Sequence, residues 1–176
     1  MRLITDWPNP QNDLASSEKV PTTISYKNGK PSTWGYNVET KEQTFRWFKL
    51  LLDPKHKFRG EAEPIQTSNR LLGTLNKTAE DVASDYLKLI WEYTKQDIKN
   101  LKGDDWDSIY ELRAVLTVPA IWSPAAKDRT LRVAKNAGLP DSISLVTEPE
   151  AAALAVLKAK NDEDTTLKVC SQAYFS

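Results

Sequence analysis

Apolar residues between positions 78 and 103 follow a helical spacing. They lie four, three and four residues apart, which places them on one face of a helix: Val82, Tyr86, Leu89 and Tyr93. Thr78 followed by Asp81 matches a capping box in which Asp replaces the usual Glu or Gln, and Gly103 supplies a stop signal. The pattern predicts the longest helix of the chain, starting at Thr78 and ending at Gly103.

From Leu112 onward, short apolar runs alternate with helical segments. Strands are predicted at 112–118, 143–147 and 166–170, and helices at 124–137 and 148–159. Ser123 followed by Pro124 is a favoured helix start, and Gly138 is a favoured stop. The repeated strand–helix–strand order predicts right-handed crossovers and a largely parallel sheet with flanking helices. The expected fold class is α/β.

The first third of the chain has shorter and less regular patterns. Residues 1–19 are polar and rich in Pro and Asn, which indicates irregular chain. A hairpin is predicted from a strand over 20–26, a turn over 27–30 and a partner strand over 33–38. The apolar segment 45–52 is predicted to be helical. Prolines and glycines at 54, 60, 64 and 73 predict that 53–77 is mostly loop.

Composition excludes several classes of protein. The 176 residues suit about one domain, and 24 basic residues balance 24 acidic ones, so no basic excess points to nucleic acid or a membrane surface. No apolar run is long enough to span a bilayer, and the amino terminus lacks the apolar core of a secretory signal. With a single cysteine, Cys170, the chain is expected to be cytoplasmic. Six tryptophans without a binding-box spacing are expected in the core.

The usual catalytic constellations are missing from the sequence. Because the sequence has one histidine, His56, and one cysteine, it offers almost no candidates for a nucleophile–base pair. The acidic cluster Asp104, Asp105 and Asp107 could suggest a metal, but is expected instead to favour the start of a short helix through its dipole. No metal site is predicted.

Two motifs in the second half resemble a known family. Residues 116–154, LTVPAIWSPAAKDRTLRVAKNAGLPDSISLVTEPEAAAL, resemble the middle of the ATPase domain of the heat-shock protein 70 family, within the actin-like ATPase superfamily. That family has (V/L)-T-V-P-A, then a basic helix ending in A-G-L, then E-P-x-A-A-A. The segment 20–26, VPTTISY, is similar to its early V-P-T strand. The resemblance implies a partial actin-like (ribonuclease H-like) lobe, with residues 1–176 forming a single, truncated first lobe.

The resemblance also implies roles for three residues. Glu148 matches the glutamate that faces the terminal phosphate of the nucleotide and orients the attacking water and the hydrated magnesium ion. Pro119 matches the proline that relays nucleotide state, and Lys127 stands where the family has its arginine partner. From the residues alone, Glu148-Pro149-Glu150 could equally be an acidic helix start, and Pro119 a turn at the end of a strand. Lysine lacks the planar fork of arginine, which puts the relay in doubt.

The catalytic lysine of the family has no secure counterpart in the sequence. The segment KHKF at 55–58 is faintly similar to its surroundings, so Lys55 and Lys57 are the nearest candidates by sequence. Neither is assigned the role.

Both phosphate-binding hairpins of the superfamily are lacking. They require closely spaced glycines, because backbone amides must approach the phosphate oxygens. The six glycines, at 29, 35, 60, 73, 103 and 138, are never within four residues of one another. The expectation is that the chain begins just after the first hairpin and departs from the pattern at Ser171, before the second. ATP or ADP and Mg²⁺ are therefore the implied cofactors, with weak or absent binding.

Three functions remain open at this stage. The first is a fragment of a heat-shock protein 70-like ATP-binding chaperone, with little or no hydrolysis and with client or co-chaperone proteins as partners. The second is a non-enzymatic protein-interaction scaffold that uses edge strands or tryptophans. The third is a truncated gene product without a function.

Overall fold

The computed structural model describes residues 3–9, 18–39, 43–53 and 62–161, with side chains described as far as Leu157. Helices flank a small parallel sheet, and a separate antiparallel sheet precedes them, so the predicted α/β class is confirmed. The segment 54–58, with Lys55, His56 and Lys57, and the strand predicted at 166–170 lie outside the described residues.

The antiparallel sheet contains three strands in the order β2-β1-β3. They are β1 (Thr23–Lys27), β2 (Lys30–Trp34) and β3 (Gln43–Arg46). Asn28 and Gly29 both have positive φ, at 55° and 74°, as a two-residue hairpin turn requires. Because this turn reverses the chain at once, Lys27 pairs with Lys30. The predicted hairpin is confirmed, but its second strand begins at Lys30 rather than residue 33 and ends at Trp34.

The segment 45–52 is not the single helix that its apolar pattern predicted. Phe45 pairs with Ile24 in β3, and a 3-10 helix, Phe48–Leu52, follows. Trp47 between them has a left-handed φ of 55°, which breaks the strand and turns the chain. The helical prediction failed because pairing with β1 buries Phe45 in an extended conformation.

The prediction that 53–77 is mostly loop is also wrong. Helix α1 spans Glu63–Leu75. Pro64 lies in its first turn, where a missing N–H costs no helical hydrogen bond. Ser68 faces β3, where its hydroxyl donates to the carbonyl of Arg46 at 2.7 Å and accepts from the amide of Arg46 at 3.2 Å. Pro64 therefore marks the start of a helix here rather than a loop, Gly73 lies within that helix, and the helix ends at the left-handed Asn76.

Helix α2 spans Ala79–Lys102 and confirms the predicted long helix. The capping box is present: the amide of Asp81 donates to Thr78 Oγ1 at 3.1 Å, and the amide of Thr78 donates to Asp81 Oδ2 at 2.8 Å. Val82 and Tyr86 of the predicted face are buried, and Leu89 and Tyr93 are partly buried. A short helix, α3 (Trp106–Ile109), follows Gly103, as the aspartate cluster predicted.

The second sheet follows the predicted strand–helix order closely. Strands β4 (Ala114–Val118) and β5 (Ile143–Thr147) are parallel neighbours. The crossover between them contains α4 (Pro124–Asn136), which begins after the N-cap Ser123, and Gly138 has a φ of 80° at its end. Helix α5 (Glu148–Asn161) starts directly from β5.

One face of α2 joins the two sheets into a common core. It packs against β1, β2, the 3-10 helix and α4. The buried residues of this face are Val82, Ala83, Tyr86, Leu87 and Ile90. Of the tryptophans, Trp106 and Trp122 are buried as expected, whereas Trp47 is 52% exposed.

Within the part of the chain that the structure describes, no helix has both the length and the apolar character needed to cross a membrane.

The capping box gives a direct test of the start of α2. Thr78→Ala removes the hydroxyl that accepts from Asp81, and should lower the free energy of unfolding by about 1 kcal/mol. The melting temperature should then fall by about 2–4 °C in a thermal melt. Thr74→Ala is the matched control, because the Thr74 hydroxyl only donates to a carbonyl within α1. Equal melting temperatures for both variants would contradict the assignment of the cap.

Candidate functional site

The carboxyl ends of the two parallel strands lie side by side. Val118 is the register partner of Thr147, so the next residues along each strand are Pro119 and Glu148. In open α/β sheets, ligands bind beyond such strand ends. The candidate site is therefore built around Glu148, the first residue of α5.

Glu148 forms an ion pair with a lysine that lies 99 residues earlier in the chain. Lys49 Nζ donates to Glu148 Oε1 at 3.0 Å. The lysine side chain is only 12% exposed and the glutamate side chain is 37% exposed. The pair joins the segment after the antiparallel sheet to the carboxyl end of the parallel sheet.

Lys49 is held in place by the 3-10 helix on which it lies. Phe48, Leu51 and Leu52 of this helix are buried in the core. Arg129 of α4 donates to the carbonyl of Leu52 at 3.2 Å. The apolar neighbours and the bond to α4 hold the backbone of this helix in place. The flexible side chain of Lys49 therefore extends from a rigid main chain.

The next residue, Asp53, ties this segment to the start of α4. Its buried carboxylate accepts from the Ser123 hydroxyl at 3.1 Å and from the Ser123 amide at 3.4 Å. Ser123 in turn caps α4 by accepting from the amide of Ala126. The end of β4, the start of α4 and the lysine segment are thus locked together.

A small cavity lies beside the ion pair. It measures about 20 Å³ and is bounded by Lys49, Thr117 and Trp122, among others. Lys49 Nζ also lies 5.8 Å from the centre of the Trp122 ring, a distance compatible with a cation–π contact. The cavity is far smaller than the sites that hold cofactor-sized ligands. A nucleotide could reach the pair only from outside.

Burial decides the electrostatics of Lys49. Removal from water lowers the pKa of its ammonium group, and the hydrogen bond and charge of Glu148 offset part of that shift. The Glu148 carboxylate therefore offsets the cost of burying the Lys49 charge, rather than adding net stability to the fold.

The two glutamates at the start of α5 have different partners. The amide and the hydroxyl of Thr147 donate to Glu150 Oε2 at 2.9 and 2.7 Å. These bonds, led by the one from the backbone, lower the pKa of Glu150. Glu150 therefore caps the helix, as the acidic-start interpretation requires, while Glu148 has a partner on another element.

Pro119 and Lys127 occupy the turn and the helix that follow β4. The carbonyl of Pro119 accepts from the amide of Trp122 at 3.2 Å, which closes the turn at the end of the strand. Lys127 lies near the start of α4, and its charge contributes less than the two Thr147 bonds to the lowered pKa of Glu150. Lys127 thus acts across the gap between the starts of α4 and α5.

The donor set fits only part of a magnesium–nucleotide site. Lys49 supplies a cation and Glu148 a carboxylate, which suit the end of a phosphate chain. The described residues contain no group of three or more metal-ligating side chains, and the glycines of the sequence are too far apart for a phosphate-binding hairpin. The residues therefore do not fit the complete group, and no hydrolytic step can be derived from them.

Sequence reasoning missed Lys49. It considered Lys55 and Lys57, which lie outside the described residues. A usable signal was present, because Lys49 interrupts the apolar run Trp47–Leu52. A lysine in such a run is rarely buried without an acidic partner.

The depressed pKa of Lys49 predicts a pH dependence. Folded Lys49 loses its proton at a lower pH than unfolded Lys49, so between the two pKa values the unfolded chain binds more protons. Stability due to this group therefore rises with pH in that interval. The free energy of unfolding of the wild type should increase relative to that of Lys49→Met as the pH approaches the ordinary lysine pKa of about 10.4 from below. Urea denaturation at each pH would measure the free energy of unfolding of both proteins.

The buried tyrosines do not affect the difference in stability between the wild type and Lys49→Met. Burial raises the pKa of Tyr26 and of Tyr86, so both cost stability at high pH, but they are present in both proteins and cancel in the difference. A difference that stays constant or shrinks as the pH rises would contradict the burial of Lys49.

A comparison with protein families assigns the part of the chain from α1 into α5 to one family. Residues 62–157 match the model described as "Domain of unknown function (DUF8340) N-terminal domain". The matched range runs from the start of α1 into α5 and includes Pro119, Lys127 and Glu148. Because it covers more than half of the sequence, the chain belongs to the DUF8340 N-terminal domain family.

Proposed function

We propose that this chain is a nucleotide-binding lobe of the heat-shock protein 70 type, in which Lys49 and Glu148 form the phosphate-facing end of the site. In this proposal Glu148 takes the role of the glutamate that orients water and hydrated magnesium, and Lys49 takes that of the catalytic lysine. The chain by itself has weak nucleotide affinity and little or no hydrolysis, and the proteins it serves are clients or co-chaperones.

The observation that carries the proposal is the Lys49–Glu148 ion pair. Its two members come from distant parts of the chain and meet at the carboxyl end of a parallel sheet. A buried lysine facing a carboxylate in such a place is a feature of functional sites more often than of ordinary surfaces. The pair also lies where the E-P-x-A-A-A motif of the resemblance begins.

The limits of the donor set define what the pair can do. Lys49 would supply a cation for a phosphate oxygen, and Glu148 would supply a carboxylate that accepts hydrogen bonds from metal-bound water. Magnesium-bound nucleotide would supply the reactive phosphoryl group. Without further donors the phosphates are not cradled, so positioning, on which phosphoryl transfer depends, is poor.

Pro119 and Lys127 fit a role in sensing the pair. Pro119 directly follows β4, and Glu148 directly follows β5. Because the last residues of the two strands are paired, a movement of one strand end would displace the other. Lys127 acts on the capping carboxylate Glu150. We assign them the relay between the site and α4, with Lys127 as a weaker partner than arginine because it cannot form bidentate contacts.

Nucleotide binding is tested by thermal melts followed by tryptophan emission, with Mg²⁺ alone, Mg²⁺-ADP and Mg²⁺-ATP. At ten times the dissociation constant, a ligand adds about 1.4 kcal/mol to stability, which raises the melting temperature by about 3–6 °C. We expect such a rise only at millimolar nucleotide, and phosphate release close to background. Lys49→Met and Glu148→Gln should each reduce the rise.

Glu150→Gln is the matched control for these variants. It alters an acidic residue on the same helix, but one bound to Thr147 rather than to Lys49. Its nucleotide-induced rise should equal that of the wild type. A wild-type melt indifferent to nucleotide at every concentration would refute the proposal, as would equal effects of Glu148→Gln and Glu150→Gln.

A second candidate function, a protein-interaction scaffold, is favoured by a separate observation. Three large apolar residues of α5 are exposed: Leu154, Val156 and Leu157. Exposed apolar surface of this kind typically binds another protein. This function needs no nucleotide and is compatible with an intact ion pair.

A further inference from the structure

A second cavity, of about 220 Å³, lies at the end of the parallel sheet opposite to the ion pair. Leu112, which precedes β4, and Leu139, which precedes β5, are among the residues that line it. The ion pair, in contrast, lies where the same two strands end. The second cavity is therefore separate from the candidate nucleotide site, and a ligand bound in it would not need a nucleotide.

Helix α2 forms one wall of the second cavity. The lining residues of this wall are four, three and four positions apart, so they share one face of the helix: Leu87, Trp91, Thr94 and Ile98. Trp91, Thr94 and Ile98 are only partly buried, because the cavity lies against them. This part of α2 therefore presents a mainly apolar surface to the cavity.

The amino-terminal segment forms another wall, through Ile4 and Trp7. The segment is attached to α2, because the hydroxyl of Tyr93 donates to the carbonyl of Asp6. The Trp7 ring also packs against Tyr93 and Trp34, with ring centres 5.5 and 6.3 Å away. These contacts hold the wall in place, so the cavity is formed before any ligand arrives.

The size and lining of the second cavity limit the class of ligand. An apolar cavity of about 150 Å³ is large enough to bind benzene, so this one can hold a substituted aromatic ring. Leucine, isoleucine and tryptophan side chains form much of the lining, which favours an apolar ligand. The charged residues of the lining, Glu18 and Arg113, are both exposed and opposite in sign, so the cavity favours neither an anion nor a cation.

One hydrogen-bond donor of a lining residue has no partner. The Nε1 atom of Trp7 is buried and makes no hydrogen bond within the part of the chain that the structure describes. Buried N–H groups are almost always paired, and an unpaired one costs stability that a partner would recover. A ligand with a hydrogen-bond acceptor would supply this partner.

We propose that the second cavity binds a small uncharged aromatic molecule that carries one hydrogen-bond acceptor, such as a carbonyl oxygen. The ring of the ligand packs against the apolar face of α2, and its acceptor receives the hydrogen bond of Trp7 Nε1. Because such a ligand has only about ten heavy atoms, its dissociation constant is of the order of 1 mM. The acceptor distinguishes it from a hydrocarbon of the same shape.

Acetophenone and α-methylstyrene are matched probes for the acceptor, because they differ only in that a carbonyl oxygen replaces a CH₂ group. NMR titrations of the isotope-labelled full chain would measure the dissociation constant of each probe. They would also follow the indole N–H resonance of Trp7, identified by its absence from Trp7→Phe. Acetophenone should bind about fivefold more tightly than α-methylstyrene and should move this resonance downfield.

Trp7→Phe separates the hydrogen bond from packing. The variant keeps an aromatic ring but removes the N–H donor, so it should bind the two probes with equal affinity. The ratio of the two dissociation constants within one variant does not depend on how much of that variant is folded. A preference for acetophenone that persists in Trp7→Phe would contradict the role of Trp7.

Benzoate and benzylamine test the absence of net charge. Each has an aromatic ring like that of acetophenone but carries a negative or a positive charge. Entry into a mainly apolar cavity would remove this charge from water, so both should bind at least about tenfold more weakly than acetophenone. Tighter binding of either one would contradict the proposed class of ligand.

Thr94→Phe tests the location of the ligand. The Thr94 hydroxyl donates to the carbonyl of Ile90 at 2.9 Å, and a phenylalanine ring at this position would fill the second cavity. Thr74→Phe is the matched control, because the exposed Thr74 makes the same kind of bond, to the carbonyl of Arg70 at 3.1 Å. Thr94→Phe should raise the dissociation constant of acetophenone at least about tenfold, and Thr74→Phe should leave it unchanged.

Three further results would overturn the proposal. They are a wild type that binds neither neutral probe up to about 10 mM, a wild type that binds both with equal affinity, and a folded Thr94→Phe that binds acetophenone as the wild type does. If Thr94→Phe does not fold, the comparison of the two neutral probes in the wild type and in Trp7→Phe still decides.

Discussion

Burial of one face of α2 is the interaction on which the rest of the structure depends. Neither sheet could bury its apolar face alone, because among the described residues the antiparallel sheet has three strands and the parallel sheet two. Tyr86 shows how α2 joins them: its ring packs against Phe48, and its hydroxyl donates to the carbonyl of Pro21 at 2.9 Å. On the other side, α2 packs against α4. The capping box at Thr78 fixes where this long helix begins.

The candidate site is a consequence of that packing. The 3-10 helix that carries Lys49 packs on α2 and α4, and Asp53 holds the start of α4. Glu148 comes from the far end of the crossover. Because both residues rest on rigid elements, their contact needs little local ordering, which is the condition for a preorganised site. The same arrangement leaves α5 on the outside of the parallel sheet, where its apolar face is exposed.

Local chemistry explains which elements could be predicted. The cap and periodicity of α2, the Ser123-Pro124 start of α4 and the β-branched run of β5 act within a few residues, so the sequence alone indicated them. Strand β3 could not be found this way, because pairing of Phe45 with Ile24 is a tertiary effect. Helix α1 was missed because Pro64 was taken to break a helix that it in fact begins. Glu148 was found through a motif, whereas Lys49 has no motif and is identified only by its partner.

A double-mutant cycle on Lys49 and Glu148 tests most directly the claim that the fold brings these two residues together. The free energy of unfolding in urea would be measured for the wild type, Lys49→Met, Glu148→Gln and the double variant at about pH 7. The structure, with a separation of 3.0 Å between Nζ and Oε1, predicts a coupling of about 0.5–3 kcal/mol. Effects that add within about 0.5 kcal/mol would mean that the residues do not interact, and would contradict the account of the site.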